Sequence, residues 1–471
     1  MKNLLQLTFV FIILCSSAVL AQNTASIEGN WLGAIDAGAV RLRIALKVSK
    51  SGDNFTAKFD SIDQGAADLE IDKITQKDKA VSFESKQYNF TYEGTLNEKG
   101  DEINGTFRQG AGSAPLVFKR TAEVTKLSRP QDPQKPYPYN EEEVSYKNTK
   151  DNVKLAGTLT LPRGAGTFPA VILITGSGSQ DRNETVAGHR PFLVLADYLT
   201  RRGIAVLRVD DRGVGGTERG AANFTSENFA EDVLAGIEYL KSRKEINPKQ
   251  IGLIGHSEGG MIAPMVAARS KDTAFIVLLA GLGQTGEDVI YTQTGLGQKV
   301  GGTSQFVIDE TRKLLKTLMT IVKSETDAKR VEQSIDKALS EHSAQFTEEQ
   351  KKEFAPVEDS IKARKALYVS AWFRYFVLYN PRPTLEKVKI PVLALNGEND
   401  VQVAWKENLD LIAAGLKAGG NKDVTVKSFP KLNHLFQTSQ TGAVSEYDKI
   451  EETISPVVLE TIADWILKHT K

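Results

Sequence analysis

The sequence predicts a doubly wound, mostly parallel α/β sheet carrying a helical cap insertion, with a small antiparallel β sandwich or barrel in front of it. Three observations predict this. Residues 27–121 alternate polar and apolar positions and are broken by frequent turn signals. From residue 141 the pattern changes to short, continuously apolar runs separated by amphipathic stretches. Residues 283–385 then interrupt that alternation with charged, helical sequence.

Taken in order, the chain of 471 residues opens on a basic Lys2, an apolar run over residues 4–14, and Val19-Leu20-Ala21 before Gln22. That is the layout of a secretory signal peptide, residues 1–21, cleaved after Ala21. The run is short for the roughly 20 residues of a spanning helix. Cys15 follows Leu14, where lipoprotein signals carry a small residue, which disfavours lipid attachment there. The mature chain is therefore expected in the periplasm or outside the cell, without a transmembrane span. Cys15 is the only cysteine, so that mature chain has no disulfide and is stabilised by its core. The 59 Lys+Arg match 59 Asp+Glu, which argues against nucleic acid as a partner, since phosphate binding needs a basic surplus. Five histidines, none in a paired ligand motif, leave little for a metal site.

Residues 22–127 form the expected β domain. Leu42, Ile44, Leu46 and Val48 alternate with Arg43, Ala45, Lys47 and Ser49, as a half-buried antiparallel strand requires. The segment holds no histidine and no glycine-flanked nucleophile, and reads as a packing or anchoring module. Residues 128–140 carry four prolines in thirteen positions. Proline fixes φ and lacks the amide donor, so a linker and domain boundary are expected there. The α/β domain then runs over residues 141–471. Residues 171–174, 204–207, 251–254, 275–279 and 391–395 are apolar throughout, as strands covered on both faces must be. Residues 192–202 and 228–241 are amphipathic helices between them. The insertion over residues 283–385 is too long for a structureless loop and is expected to form a cap above the sheet.

The chemistry centres on Gly255-His256-Ser257-Glu258-Gly259, which joins an apolar strand to a helix. A strand-to-helix turn this tight needs small residues on both sides, and it exposes the serine hydroxyl at the carboxyl end of the sheet. The serine needs a base. His189 comes too early in the chain, His342 lies in the cap, His469 at the tail, and His256 points away from its neighbour. His434, just after the run 424–429, is the expected base. An acid must then hold the imidazole. Asp400 is the choice, with Glu398 on the same turn as its rival. The order Ser257, Asp400, His434 matches one of the known chain orders of a hydrolytic triad. The oxyanion would be held by the backbone N–H of Glu258 and by that of Ser177 in the glycine-rich loop 176–181. Trp372, Phe376 and Tyr379, at helical spacing in the insertion, are candidates for the substrate pocket.

ITGSGSQDRNE (residues 174–184), RVDDRGVGGT (208–217), GHSEGG (255–260) and NGENDVQV (396–403) together resemble bacterial secreted serine carboxylesterases of the α/β-hydrolase superfamily, in the branch related to dienelactone hydrolases and prolyl oligopeptidases. The resemblance runs from residue 141 to the end and matches the cap only loosely. It implies ester hydrolysis by the same triad, no cofactor, and a small-molecule ester as partner. It also implies that Asp210-Asp211-Arg212-Gly213 braces the loops beside the nucleophile. Thr175-Gly176 stands where many hydrolases have His-Gly. A serine peptidase or thioesterase on this fold is the nearest alternative, although a peptidase of this ancestry would carry a propeller for which residues 1–140 are too short. A non-catalytic envelope or polysaccharide-binding protein is the alternative of another class.

Overall fold

In the computed structural model the described residues are 25–37, 40–52, 54–62, 66–110, 112–123 and 129–471. The expected signal peptide, with Cys15, lies outside them. By contacts the chain divides into two compact units, one of residues 1–35, 44–60 and 68–124, the other of residues 36–43, 61–67 and 125–471.

The first nine strands are β1 (Gly29–Ala37), β2 (Val40–Ser51), β3 (Asn54–Ser61), β4 (Ala66–Glu70), β5 (Lys73–Lys77), β6 (Ala80–Ser85), β7 (Phe90–Leu96), β8 (Glu102–Gln109) and β9 (Gly112–Thr121). They form one sheet in the order β4-β3-β2-β1-β9-β8-β7-β6-β5. One continuous sheet replaces the sandwich that was the alternative expectation. Its two edge strands, β4 and β5, are consecutive in the chain with only Ile71 and Asp72 between them, so the sheet must curl to bring the end of one beside the start of the other. Alternation places Phe59, Phe83, Phe90, Tyr92 and Phe118 on the buried face, with rings packed as closely as 4.7 Å between Phe59 and Phe90.

The second unit holds β10 (Asn140–Asn148), β11 (Val153–Leu161), β12 (Phe168–Ile174), β13 (Ala205–Val209), β14 (Ile246–His256), β15 (Phe275–Leu279), β16 (Val392–Gly397) and β17 (Val424–Phe429). The strand order is β10-β11-β13-β12-β14-β15-β16-β17. From β13 onward neighbours are parallel. The antiparallel pair β10–β11 was not expected, because Glu141, Glu142 and Glu143 give β10 none of the apolar run that marks the buried strands. An edge strand needs to bury one face only. Helices α1 (Pro191–Arg201), α2 (Ser226–Lys241) and α3 (Glu258–Ala267) follow the first crossovers, while α11 (Trp405–Ala418) and α12 (Pro456–His469) follow the last strands. The helices α1, α2, α3, α11 and α12 contribute Leu195, Ile237, Ile262, Ile412 and Ile462 to a core continuous with the sheet.

The insertion is helical: α4 (Gly286–Val300), α5 (Gln305–Ser324), α6 (Ala328–Ser343), α7 (Glu348–Ala363), α8 (Lys365–Tyr368), α9 (Ala371–Leu378) and α10 (Arg382–Leu385). Side-chain caps start α5 at Ser304, α6 at Asp327 and α7 at Thr347, supplying acceptors to amides that the first turn leaves unpaired. Leu314, Leu318, Ile335 and Phe354 give the cap its own apolar core. Among the described residues no helix is long and apolar enough to cross a membrane.

The proline-rich stretch is fastened to the second unit. Gln131 Nε2 donates to the Ile454 carbonyl at 2.7 Å and Asp132 pairs with Arg190 at 2.7 Å. Arg129 donates to the Ala187 carbonyl at 2.8 Å.

Candidate active site

Strand β14 ends at His256, and Ser257 occupies the turn before α3 with φ 53° and ψ −114°. A non-glycine residue rarely adopts positive φ, and where it does the surrounding structure must hold it there. The turn is held by the Ser257 N–H, which donates to the Leu279 carbonyl of β15 at 2.8 Å, and by the Ser257 carbonyl, which accepts from Gly260 N–H at 2.9 Å. The flanking glycines have a steric reason. A Cβ on Gly255 would overlap the carbonyl of Gly259, and one on Gly259 would overlap the carbonyl of Ile174 in β12. Either change would displace Ser257 from its turn.

His434 lies in the loop after β17, and its Nδ1 is 2.8 Å from Asp400 Oδ2 in the turn after β16. Both side chains are almost fully buried. Asp400 Oδ1 accepts from the amides of Gln402 and Val403, each at 2.8 Å, so the carboxylate is fixed from both ends. The rival Glu398 faces elsewhere, accepting from Ser428 Oγ at 2.8 Å. The other histidines are engaged. His189 Nε2 donates to the Tyr447 carbonyl at 2.8 Å and Nδ1 meets Thr453 Oγ1 at 2.9 Å. Burial, with Arg129 nearby, lowers its pKa to about 4, so it stays neutral. His342 faces Glu310 in the cap, and His469 Nδ1 donates to the Trp465 carbonyl.

Of the candidate oxyanion donors, the Glu258 amide opens α3 directly after Ser257. In the loop after β12 the Gly176 N–H is taken by Glu184 Oε1 at 2.6 Å, and Ser177 is the next residue along. That loop is braced from β13: Asp211 accepts from Thr175 Oγ1 at 2.7 Å and from the Gln180 N–H at 2.9 Å. Asp210 pairs with Arg182 at 2.7 Å, and Arg212 pairs with Asp151 and Asp232, each at 2.6 Å. Burial, reinforced by the carboxylates of Glu258 and Glu184, pushes Asp211 up to about 7.

The cap reaches the elbow through α9. Trp372 Nε1 donates to Glu258 Oε1 at 2.7 Å, and Ser226 Oγ donates to the same oxygen at 2.6 Å. Burial raises the pKa of Glu258, and these two donors oppose it. Phe376 stacks on Trp372 with centroids 5.6 Å apart and is buried, whereas Tyr379 Oη bonds Thr384 Oγ1 at 2.9 Å. A cavity of about 50 Å³ behind the elbow is lined by Tyr146, Phe229, Ile262, Asp211 and Glu258, and by none of those three aromatics. Glu184 was not among the candidates. Its only mark in the sequence is its place in the run 174–184.

The sequence pattern of the X-Pro dipeptidyl-peptidase (S15) family matches residues 151–422. Esterase EstD of Thermotoga maritima is 26% identical over 397 residues, which span 84% of this chain and 83% of that protein. Among solved structures, the esterase Pf2001 of Pyrococcus furiosus is 17% identical, with a TM-score of 0.41, covering 70% of this chain and 91% of that one. Est1E from Butyrivibrio proteoclasticus is 15% identical, with a TM-score of 0.39, covering 69% and 99%. The family match takes in the elbow, the cap and the turn that carries Asp400, more than half of the chain, and on that extent the protein belongs to the X-Pro dipeptidyl-peptidase (S15) family of α/β hydrolases.

Proposed function

We propose that this protein is a serine hydrolase that cleaves carboxylic esters through Ser257, His434 and Asp400. The observation that carries the reading is the pairing of His434 with Asp400 at 2.8 Å in loops beyond the carboxyl ends of β16 and β17, where the β14 turn presents Ser257. The acidic partner fixes the tautomer with hydrogen on Nδ1, leaving Nε2 to take the serine proton. Ser257 Oγ attacks the ester carbonyl, and the amides of Glu258 and Ser177 stabilise the oxyanion. His434 then protonates the departing alcohol, and a water activated by the same ring releases the acid.

The ester rather than the amide is supported by the likeness to EstD along most of both chains. The acyl group is proposed to lie beneath the cap, with Trp372, Phe376 and Tyr379 forming part of its pocket. Trp372 is the best supported, because its indole bonds the side chain next to the nucleophile. The layout of residues 1–21 adds an exported enzyme to the proposal.

A second reading, dipeptide release from X-Pro peptides, is favoured by the family match. A panel of p-nitrophenyl esters, acyl thioesters and X-Pro aminoacyl amides separates them. The proposal expects kcat/KM for the best ester to exceed that for every amide and thioester by at least about 100-fold, a gap of roughly 2.7 kcal/mol in transition-state binding. A preference for X-Pro amides would overturn it.

A further inference from the structure

Beside the triad lies a buried pair for which the reaction just described has no use. The ring of His256, the residue before Ser257, is bonded at both nitrogens. Its Nε2 is 3.0 Å from the backbone carbonyl of His434. A carbonyl can only accept, so Nε2 carries hydrogen. Its Nδ1 is 2.9 Å from Glu184 Oε1, the oxygen that also accepts the Gly176 N–H at 2.6 Å. Both side chains are buried, and the rings of His256 and His434 are 4.7 Å apart. Glu184 has a φ of 52°, a left-handed conformation that is strained for a non-glycine residue. The chain keeps that strain at the position whose carboxylate meets both the Gly176 amide and the His256 ring.

We propose that Glu184 and His256 form an ion pair that acts as a positioning clamp for the catalytic site. The carboxylate holds the oxyanion loop by the Gly176 amide, and the imidazolium it anchors holds the base loop by the carbonyl of His434. The inference rests on the reading of Ser257, His434 and Asp400 as the triad. Neither residue touches the substrate; each acts through the groups it holds.

With Glu184 ionised, the contacts require a charged ring and not only its shape. A neutral imidazole has one N–H, whereas this ring has acceptors at both nitrogens. The groups facing it are Glu184 from the loop after β12, Asp400 from the turn after β16 and His434 from the loop after β17. Glu184 in turn acts on Asp211, after β13. Burial alone would lower the pKa of His256, and Glu184, the His434 carbonyl and Asp400 outweigh it, so that it is raised. Glu184→Gln keeps an oxygen for the Gly176 amide but removes the charge that retains the second proton. A neutral ring then keeps residue 184 and the His434 carbonyl only if the amide turns its NH2 to Nδ1, which takes the oxygen away from the Gly176 N–H, so one of the three contacts is lost.

The test uses the full chain, p-nitrophenyl acetate and active sites counted with a fluorophosphonate. Glu184→Gln and His256→Asn are expected to lower kcat per titrated site by about 10- to 100-fold, because donors and base are misplaced in the transition state. KM should stay within about threefold, and the double variant should be no worse than the poorer single one, since the two act as a unit. A kcat per site within about twofold of the parent, with only a lower melting temperature, would overturn the clamp. If neither variant folds, ¹⁵N-histidine NMR of Ser257→Ala, which leaves the pair intact, decides. The clamp expects one of the five rings to carry two protons at pH 8, and their absence from every ring overturns it. Retained turnover in Ser257→Ala would instead count against the triad, so the two failures are distinguishable.

Discussion

Asp211 carries no catalytic step, yet it sits where acidity and catalysis meet. Its carboxyl braces Thr175 and Gln180 while facing the carboxylates of Glu258 and Glu184. Its ordinary value is 3.8 and burial pushes it up to about 7. Between those values the folded protein holds a proton that the unfolded chain has released. Its contribution to stability is therefore most favourable below about pH 4 and declines as pH rises toward 7. Asp211→Asn loses one acceptor but also that slope. Its melting temperature relative to the parent should climb steadily between pH 4 and 7.5 in differential scanning fluorimetry. A constant difference across that range would show that Asp211 stays ionised.

At the scale of elements, the strand-turn-helix of β14 and α3 makes the placement of Ser257 a property of backbone shape. The cap adds α9, whose Trp372 ties the insertion to Glu258. If the proposed pocket is right, alanine at Trp372, Phe376 or Tyr379 shifts the ratio of kcat/KM between acetate and octanoate esters by about 10-fold, as a pocket discriminating by methylenes does. A side chain that only packs would instead lose about 3–5 kcal/mol of stability with the profile unchanged. Trp372→Phe isolates the indole. It leaves buried Glu258 short of one donor, a loss of about 1–3 kcal/mol, measurable by urea denaturation. These elements also divide what the sequence discloses from what it hides. The buried strands β12 to β16 announce themselves by continuous apolar runs, and Ser257 by the glycines its turn needs. The edge strand β10 does not, because its glutamates satisfy only one buried face. Glu184 and His256 are 72 positions apart, and no local pattern marks a pair that only the crossovers bring together. Asp400 and Glu398 share one turn, so the choice between them required the direction of each side chain.

For the whole molecule, the family match and the residues of the proposed triad belong to the second unit, and the first is a curled sheet with an aromatic interior. The prolines near residue 130 read as a linker from composition, since composition cannot register the bonds from Gln131 and Asp132 to distant loops. A chain beginning at Thr125 keeps those bonds and is expected to hydrolyse p-nitrophenyl acetate at a rate close to the parent's. One beginning at Pro136 loses them, each worth about 1 kcal/mol net, and should melt lower. Inactivity of a folded chain beginning at Thr125 would assign the first unit a part in shaping the site. The central claim, that Ser257 is the nucleophile, is tested most directly by the turnover of purified Ser257→Ala on its best ester, beside a fluorophosphonate label located by peptide mass. The account predicts a loss of about 10⁴-fold or more in kcat, an equal loss in His434→Ala, and a label found only in the parent, on the peptide containing Ser257. Turnover near the parent's, or a label on any other residue, would contradict it.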